Sequence, residues 1–120
     1  MSMLSQEHIR VPGCSGVTVR EMPSAHGLHI LEVNVAPGGE IPLHTHDCAA
    51  TMIITRGSAC KLISGGSGDY VGPGDVVRKA KGEPHGFSAI GEDGFQFISF
   101  SDGDGILREH SDDDWDLRYV

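Results

Sequence analysis

Two stretches of the chain decide its fold. Residues 38–57 read GGEIPLHTHDCAATMIITRG, and residues 74–87 read GDVVRKAKGEPHGF. The first stretch places His44 and His46 one residue apart, after a proline and at the expected end of a strand. Side chains alternate along a strand, so both imidazoles face the same side. The second stretch adds His85. Neutral imidazole is the commonest ligand for transition metals, and these three histidines are therefore candidate ligands for one divalent ion.

The sequence around these stretches predicts an all-β fold. Short runs rich in β-branched and aromatic residues cover 28–35, 52–55, 59–63 and 95–100, and glycine-rich turns separate them. The chain contains 17 glycines and 6 prolines in 120 residues, which favours tight turns over long helices. No amphipathic helical crossovers separate the runs, so we expect an antiparallel barrel rather than a parallel sheet with helices.

The spacing of glycines and histidines resembles the two motifs of the cupin family. Five residues separate Gly38 from the histidine pair, and Gly57 lies eleven positions after His46. A glycine-aspartate turn begins at Gly74, eleven positions before His85. The resemblance covers residues 28–100. It implies a double-stranded β-helix of two antiparallel sheets, with a metal inside the barrel bound by His44, His46 and His85.

Three positions depart from the cupin motifs. Ala50 occupies the place of the glutamate ligand, Ala80 that of a proline and Ala89 that of an asparagine. The resemblance therefore implies a three-histidine variant with neutral protein ligands. Such a site leaves more of the ion's charge uncompensated, which favours anionic substrates. It is similar to the site of iron-dependent thiol and diketone dioxygenases.

Other residues are weaker candidates for the site. Cys48, Met52, Arg78 and Phe87 are predicted to line the pocket. Cys48 could also be a fourth ligand, or only a packed thiol, and either Arg78 or the neighbouring lysine could point inward, unless both are solvated. His29 lies on an expected barrel strand and is a candidate extra ligand.

Composition excludes several classes of partner. With 17 acidic and 9 basic residues the net charge is −8, the wrong sign for a nonspecific nucleic-acid binder. No stretch approaches 18 apolar residues, so we expect no membrane association. Three cysteines without a C-x-x-C pair favour a reducing compartment, and we expect a cytoplasmic protein.

We divide the chain into an N-terminal edge-strand segment (1–27), a barrel core (28–100) and an acidic C-terminal tail (101–120). The tail is expected to be solvated, with Trp115 and Leu117 as residues that could dock on the barrel or on a second subunit. The cupin resemblance also implies pairing into a homodimer through edge strands.

These observations favour a small-molecule metalloenzyme. The ion would be iron, zinc, nickel or manganese, and the substrate a small organic molecule for which an anionic group is one option. By a small margin we favour dioxygenase-like chemistry over isomerase, lyase or cyclase chemistry, because the glutamate ligand is missing. The alternative is a non-catalytic ligand-binding or sensor module whose metal site is structural or vestigial.

Overall fold

A computed structural model describes residues 8–107 and 115–120. Within these residues the secondary structure consists of strands, and no helix long and apolar enough to span a membrane occurs there. The strands are β1 (Ile9–Arg10), β2 (Ser15–Ala25), β3 (Leu28–Thr45), β4 (Ala50–Ile63), β5 (Gly66–Val71), β6 (Val76–Lys79), β7 (His85–Ser101) and β8 (Arg118–Tyr119).

All the pairings between these strands are antiparallel, which confirms the predicted all-β class. The strand order is β1-β2-β3-β7-β4-β5, with β6 paired to β4 and β8 paired to β3. Strand β7 lies between β3 and β4, and register shifts interrupt both of its ladders. Such irregularities bend long strands, so β3, β4 and β7 can curve around a common interior.

The interior is filled by alternate residues of these strands. A residue that faces the core is followed by one that faces outward, because side chains alternate along a strand. Three phenylalanines form its centre, with ring centroids 5.2 to 5.4 Å apart. The principal core residues are Val17, Val19, Leu31, Val33, Val35, Ile41, Met52, Ile54, Phe87, Phe95 and Phe97.

The described parts of both terminal segments pack on the barrel. Strand β2 pairs with β3 along most of its length, so residues 15–25 extend the sheet. In the C-terminal segment, Trp115 and Leu117 dock on the barrel, one of the two expected options, and the burial of Asp116 corrects the expectation that this part is solvated. Asp116 is only 2% exposed, and Trp115 and Leu117 pack against the core. The acidic run at 112–114 lies outside the described residues.

Candidate metal centre

The three histidines converge inside the barrel. His44 lies near the end of β3, His46 directly follows that strand, and His85 begins β7. His44 and His85 are register partners across the β3–β7 ladder. The exposed fractions of His44, His46 and His85 are 3%, 5% and 4%, and their candidate ligand atoms all lie within 4.8 Å of one another.

Each histidine is held by a backbone carbonyl at Nδ1. Nδ1 of His44 is 2.7 Å from the carbonyl oxygen of Pro42, and Nδ1 of His85 is 3.1 Å from that of Glu83. Nδ1 of His46 contacts the carbonyl oxygen of Asp116. A carbonyl oxygen can only accept, so each Nδ1 carries the ring proton and donates it. Each Nε2 is then left with a free lone pair.

The arrangement of these lone pairs fits a metal ion. Nε2 of His44 lies 3.0 Å from Nε2 of His46. With both protons on Nδ1 this contact is not a hydrogen bond, and the two lone pairs repel unless a cation lies between them. Nitrogens bound to one ion at about 2.0–2.1 Å are separated by roughly 2.8–3.4 Å for angles between octahedral and tetrahedral. The observed separation falls in that range.

Burial keeps the three rings neutral. Burial, and then the neighbouring His46 ring, lower the pKa of His44 to about 4. Burial, and then His44 and His46, lower the pKa of His85 to about 3. Burial also lowers the pKa of His46, against the opposing effect of the Asp116 carbonyl. All three imidazoles are therefore unprotonated at Nε2 at neutral pH, the state that binds metals.

The donor set carries no negative charge. Among the described residues, no cysteine, aspartate or glutamate joins the three histidines in a group that could bind a metal. Ala50, at the position where the resemblance places a glutamate ligand, is 4% exposed and lies in the wall of the adjoining cavity.

A cavity of about 50 Å³ adjoins the histidines. A cavity needs about 10–15 Å³ of such volume to hold one water, so this cavity accommodates on the order of three to five water-sized groups. Besides the histidines, the lining residues with a polar side-chain atom are Cys14, Ser99 and Trp115. The apolar lining residues are Val11, Val17, Val19, Leu31, Val33, Ile41, Ala50, Met52, Phe87, Phe97 and Ile106.

The structure places two of the four predicted pocket residues in the cavity wall and two elsewhere. Met52 and Phe87 line the cavity. Cys48 does not: the chain bends at positions 47 and 48, and the residue is buried in the core outside this wall. Arg78 is exposed, because alternation in β6 turns its neighbour Val77 inward. These placements correct the expectations for Cys48 and Arg78.

His29 lies outside the histidine cluster. Its Nε2 is 3.0 Å from the carbonyl oxygen of Gly103, and it does not line the cavity. The other candidate for an inward cation is Lys79. Its ammonium group lies 3.4 Å from the carboxylate of Glu83.

Two features of the site were not predicted from the sequence. One is the contact between His46 and Asp116, which a backbone carbonyl makes and for which any residue type would serve. The other is the hydroxyl of Ser99, buried in the cavity wall. A serine inside a strand pattern ordinarily indicates an outward position, so alternation from Phe97 was the only available clue.

Comparisons with known proteins agree with this architecture. A family model described as a cupin domain matches residues 31–101. Oxalate decarboxylase OxdC from Bacillus subtilis (strain 168) is 35% identical over 99 residues, which are 79% of this chain and 25% of that protein. (R)-Mandelonitrile lyase from Granulicella tundricola is 38% identical over 53 residues, 44% of this chain and 40% of that protein. The chain thus spans less than half the length of either relative.

A solved structure shows the same fold. The polyketide cyclase RemF from Streptomyces resistomycificus superposes with a TM-score of 0.70 at 25% sequence identity, over 84% of this chain and 78% of that one. The predicted double-stranded β-helix is confirmed. Because the cupin family model matches more than half of the residues of this chain, the chain belongs to the cupin family.

Proposed function

We propose that this cupin is a metal-dependent enzyme that binds one divalent transition metal through His44, His46 and His85 and acts on a small organic molecule in the adjoining cavity. One observation carries the proposal. Three buried, neutral imidazoles, each oriented by a carbonyl at Nδ1, bring their candidate ligand atoms within 4.8 Å of one another beside an apolar cavity. Three protein ligands leave coordination positions open for a substrate.

A divalent ion bound there would supply Lewis acidity toward a substrate oxygen. The protein contributes orientation and exclusion of water. The carbonyls of Pro42, Glu83 and Asp116 fix the three rings, and such outer contacts typically account for 10- to 100-fold in affinity or activity. Because the described ligands are neutral, the ion keeps its positive charge, which favours an anionic substrate group.

For the reaction class we propose redox-neutral chemistry, in which a bond to carbon is formed or broken without oxygen. Support comes from the relatives, whose names describe a decarboxylase, a lyase and a cyclase. Oxygen activation of the dioxygenase type is the second candidate. The specific observation that favours it is the absence of a carboxylate among the described residues of the histidine group.

The first test is elemental analysis of protein purified without a histidine tag or chelator. Near-stoichiometric manganese, iron, nickel or zinc is expected in the wild type and in His29→Ala, a histidine outside the cluster. The metal should be lost in the His44→Ala/His85→Ala double variant. Absence of bound metal after anaerobic loading of the wild type with each ion would contradict the proposal.

The second test separates the two reaction classes. The metal-loaded protein is incubated with a panel of small hydroxy acids, oxo acids, cyanohydrins, thiols and diketones while dissolved oxygen is monitored. Turnover without oxygen uptake supports redox-neutral chemistry. Product formation that is stoichiometric with oxygen uptake overturns it in favour of the dioxygenase.

A further inference from the structure

Ser99 presents a buried hydroxyl to the cavity. The residue lies on β7, its exposed fraction is 2%, and it lines the same cavity as the three histidines. Its register partners are Leu31 on β3 and Met52 on β4, and both also line the cavity. The hydroxyl therefore lies in an apolar part of the wall.

This hydroxyl has no hydrogen-bond partner within residues 8–107 and 115–120. The next residue on the same face of β7, Ser101, differs in this respect. It is equally buried, but its hydroxyl donates to the carbonyl oxygen of His29 at 3.5 Å. Burying a hydroxyl without a partner is unfavourable, and an alanine would fill the position at no such cost. A group of this kind at a cavity surface suggests a ligand that supplies the missing partner.

We infer that the Ser99 hydroxyl is a substrate-binding group that forms a hydrogen bond with a neutral oxygen of a three- or four-carbon carboxylate, whose carboxyl group lies at the histidines. The inference rests on the proposed function, because it requires a ligand-binding metal at the histidines. It names the substrate class: a small acid that carries a hydroxyl or carbonyl oxygen at a distance from its carboxyl group.

The volume of the cavity and the charges of its lining residues together indicate this class of substrate. The cavity holds only a few water-sized groups, so the ligand is short. No lysine or arginine is among the lining residues that the structure describes, and a single serine compensates a second carboxylate poorly. The group opposite Ser99 is therefore neutral. This group can be a hydroxyl or a carbonyl, because the Ser99 hydroxyl can both donate and accept a hydrogen bond.

The test compares two acids that differ by one oxygen. Dissociation constants of 3-hydroxypropanoate and propanoate are measured for Co²⁺-loaded protein from the change in its visible absorption, with metal content confirmed by elemental analysis. The wild type should prefer 3-hydroxypropanoate by about tenfold, the contribution of one hydrogen bond. In Ser99→Ala this preference should vanish while the affinity for propanoate stays unchanged. The matched control Ser101→Ala should keep the wild-type preference.

Thermal unfolding of ligand-free protein supplies a second readout. Ser99→Ala should unfold at the same temperature as the wild type or higher, because it removes a hydroxyl that has no partner. A lower temperature would mean that the hydroxyl has a structural partner, and this would overturn the inference. An unchanged preference in Ser99→Ala, or equal affinities of the wild type for both acids, would overturn it while leaving the metal site intact. Failure of the wild type to bind Co²⁺ would overturn the proposed function as well.

Discussion

The carbonyl oxygen of Asp116 accepts a hydrogen bond from Nδ1 of His46, a residue 70 positions earlier in the chain. The carboxylate of Asp116 also accepts a hydrogen bond from the backbone N–H of Asp47 at 2.7 Å. Arg118, two residues on, forms ion pairs with both aspartates. The C-terminal residues therefore hold a candidate metal ligand in place.

Removing residues 115–120 should weaken metal binding by about 10- to 100-fold, the usual cost of losing an outer contact to a ligating histidine. Without the Asp116 carbonyl, His46 loses the contact that keeps its proton on Nδ1. Affinity can be measured by competition with a chromophoric chelator. Tyr119→Phe is the matched control, because it removes only a hydroxyl, which donates to the Pro12 carbonyl and also contacts the Cys14 thiol at 3.3 Å. Equal affinities of the truncated and full-length chains would contradict this role.

Metal-free protein should lose stability as the pH falls from about 6.5 toward about 4. The pKa values of His44 and His85 are lowered to about 4 and about 3, whereas unfolded histidine titrates near 6.5. In this window the unfolded chain binds more protons than the folded one, so acid favours unfolding. Each residue should contribute about 1.4 kcal/mol per pH unit, and nothing above pH 6.5.

Urea unfolding of chelator-treated protein at pH 7.5, 6.0 and 5.0 measures this slope. The range stays above the usual carboxyl pKa values near 4, so the histidines dominate it. His85→Gln should flatten the dependence, and Ile63→Ala, which replaces an exposed side chain without a titratable group, should not change it. A wild-type free energy of unfolding that is the same at pH 7.5 and 5.0 would contradict the expectation.

Ala50→Glu should make stability depend strongly on the metal. Ala50 is 4% exposed, so the new carboxylate would be buried beside neutral histidines and would lower the unfolding temperature of metal-free protein. A bound divalent ion would compensate that charge. We expect the difference in unfolding temperature between metal-loaded and metal-free forms to exceed that of the wild type. Ala50→Gln, which adds similar volume without charge, should show no such increase. Equal differences in the Glu and Gln variants would contradict a metal at this position.

Phe87→Ala should cost about 3–5 kcal/mol in the free energy of unfolding, because it removes a large side chain from a packed core. Phe87 is 1% exposed, and its ring centroid lies 5.2 and 5.3 Å from those of Phe95 and Phe97. Ile63→Ala is the control, since that side chain is 43% exposed, and it should change stability by about 0.5 kcal/mol or less. Similar losses in urea unfolding for the two variants would argue against this core.

Features with a periodic or spaced signal could be predicted from the sequence. The strands follow from alternation and glycine turns, alternation places His44 and His46 on one face, and the resemblance to the cupin motifs implies that His85 joins them. Features that depend on one local bend in the chain could not be predicted from the sequence. Cys48 shares the parity of His46, but the chain bends between strands there, so parity no longer indicates its direction. For Arg78 and its neighbour Lys79, alternation alone does not say which of the two adjacent cations faces inward.

Contacts made by backbone atoms across long separations were also beyond prediction. The acidic composition of the last 20 residues indicates solvent exposure, and only Trp115 and Leu117 suggested docking on the barrel. In the structure these two side chains pack against the core, and main-chain pairing of β8 with β3 adds contacts that the sequence does not indicate. The pattern of charges describes side chains alone. It therefore does not indicate that a backbone carbonyl accepts a hydrogen bond from a histidine.

The position of β7 between β3 and β4 sets an order of events for folding. Both ladders require residues 85–101 to pair with strands that precede them in the chain. Pairings at such long sequence separation carry a high entropic cost of loop closure, and chains dominated by them fold slowly. His85 reaches His44 only through this pairing, and the Asp116 contact needs residues later still. An ion that needs all three histidines would therefore bind only after β7 has paired with β3, and it would not nucleate the barrel.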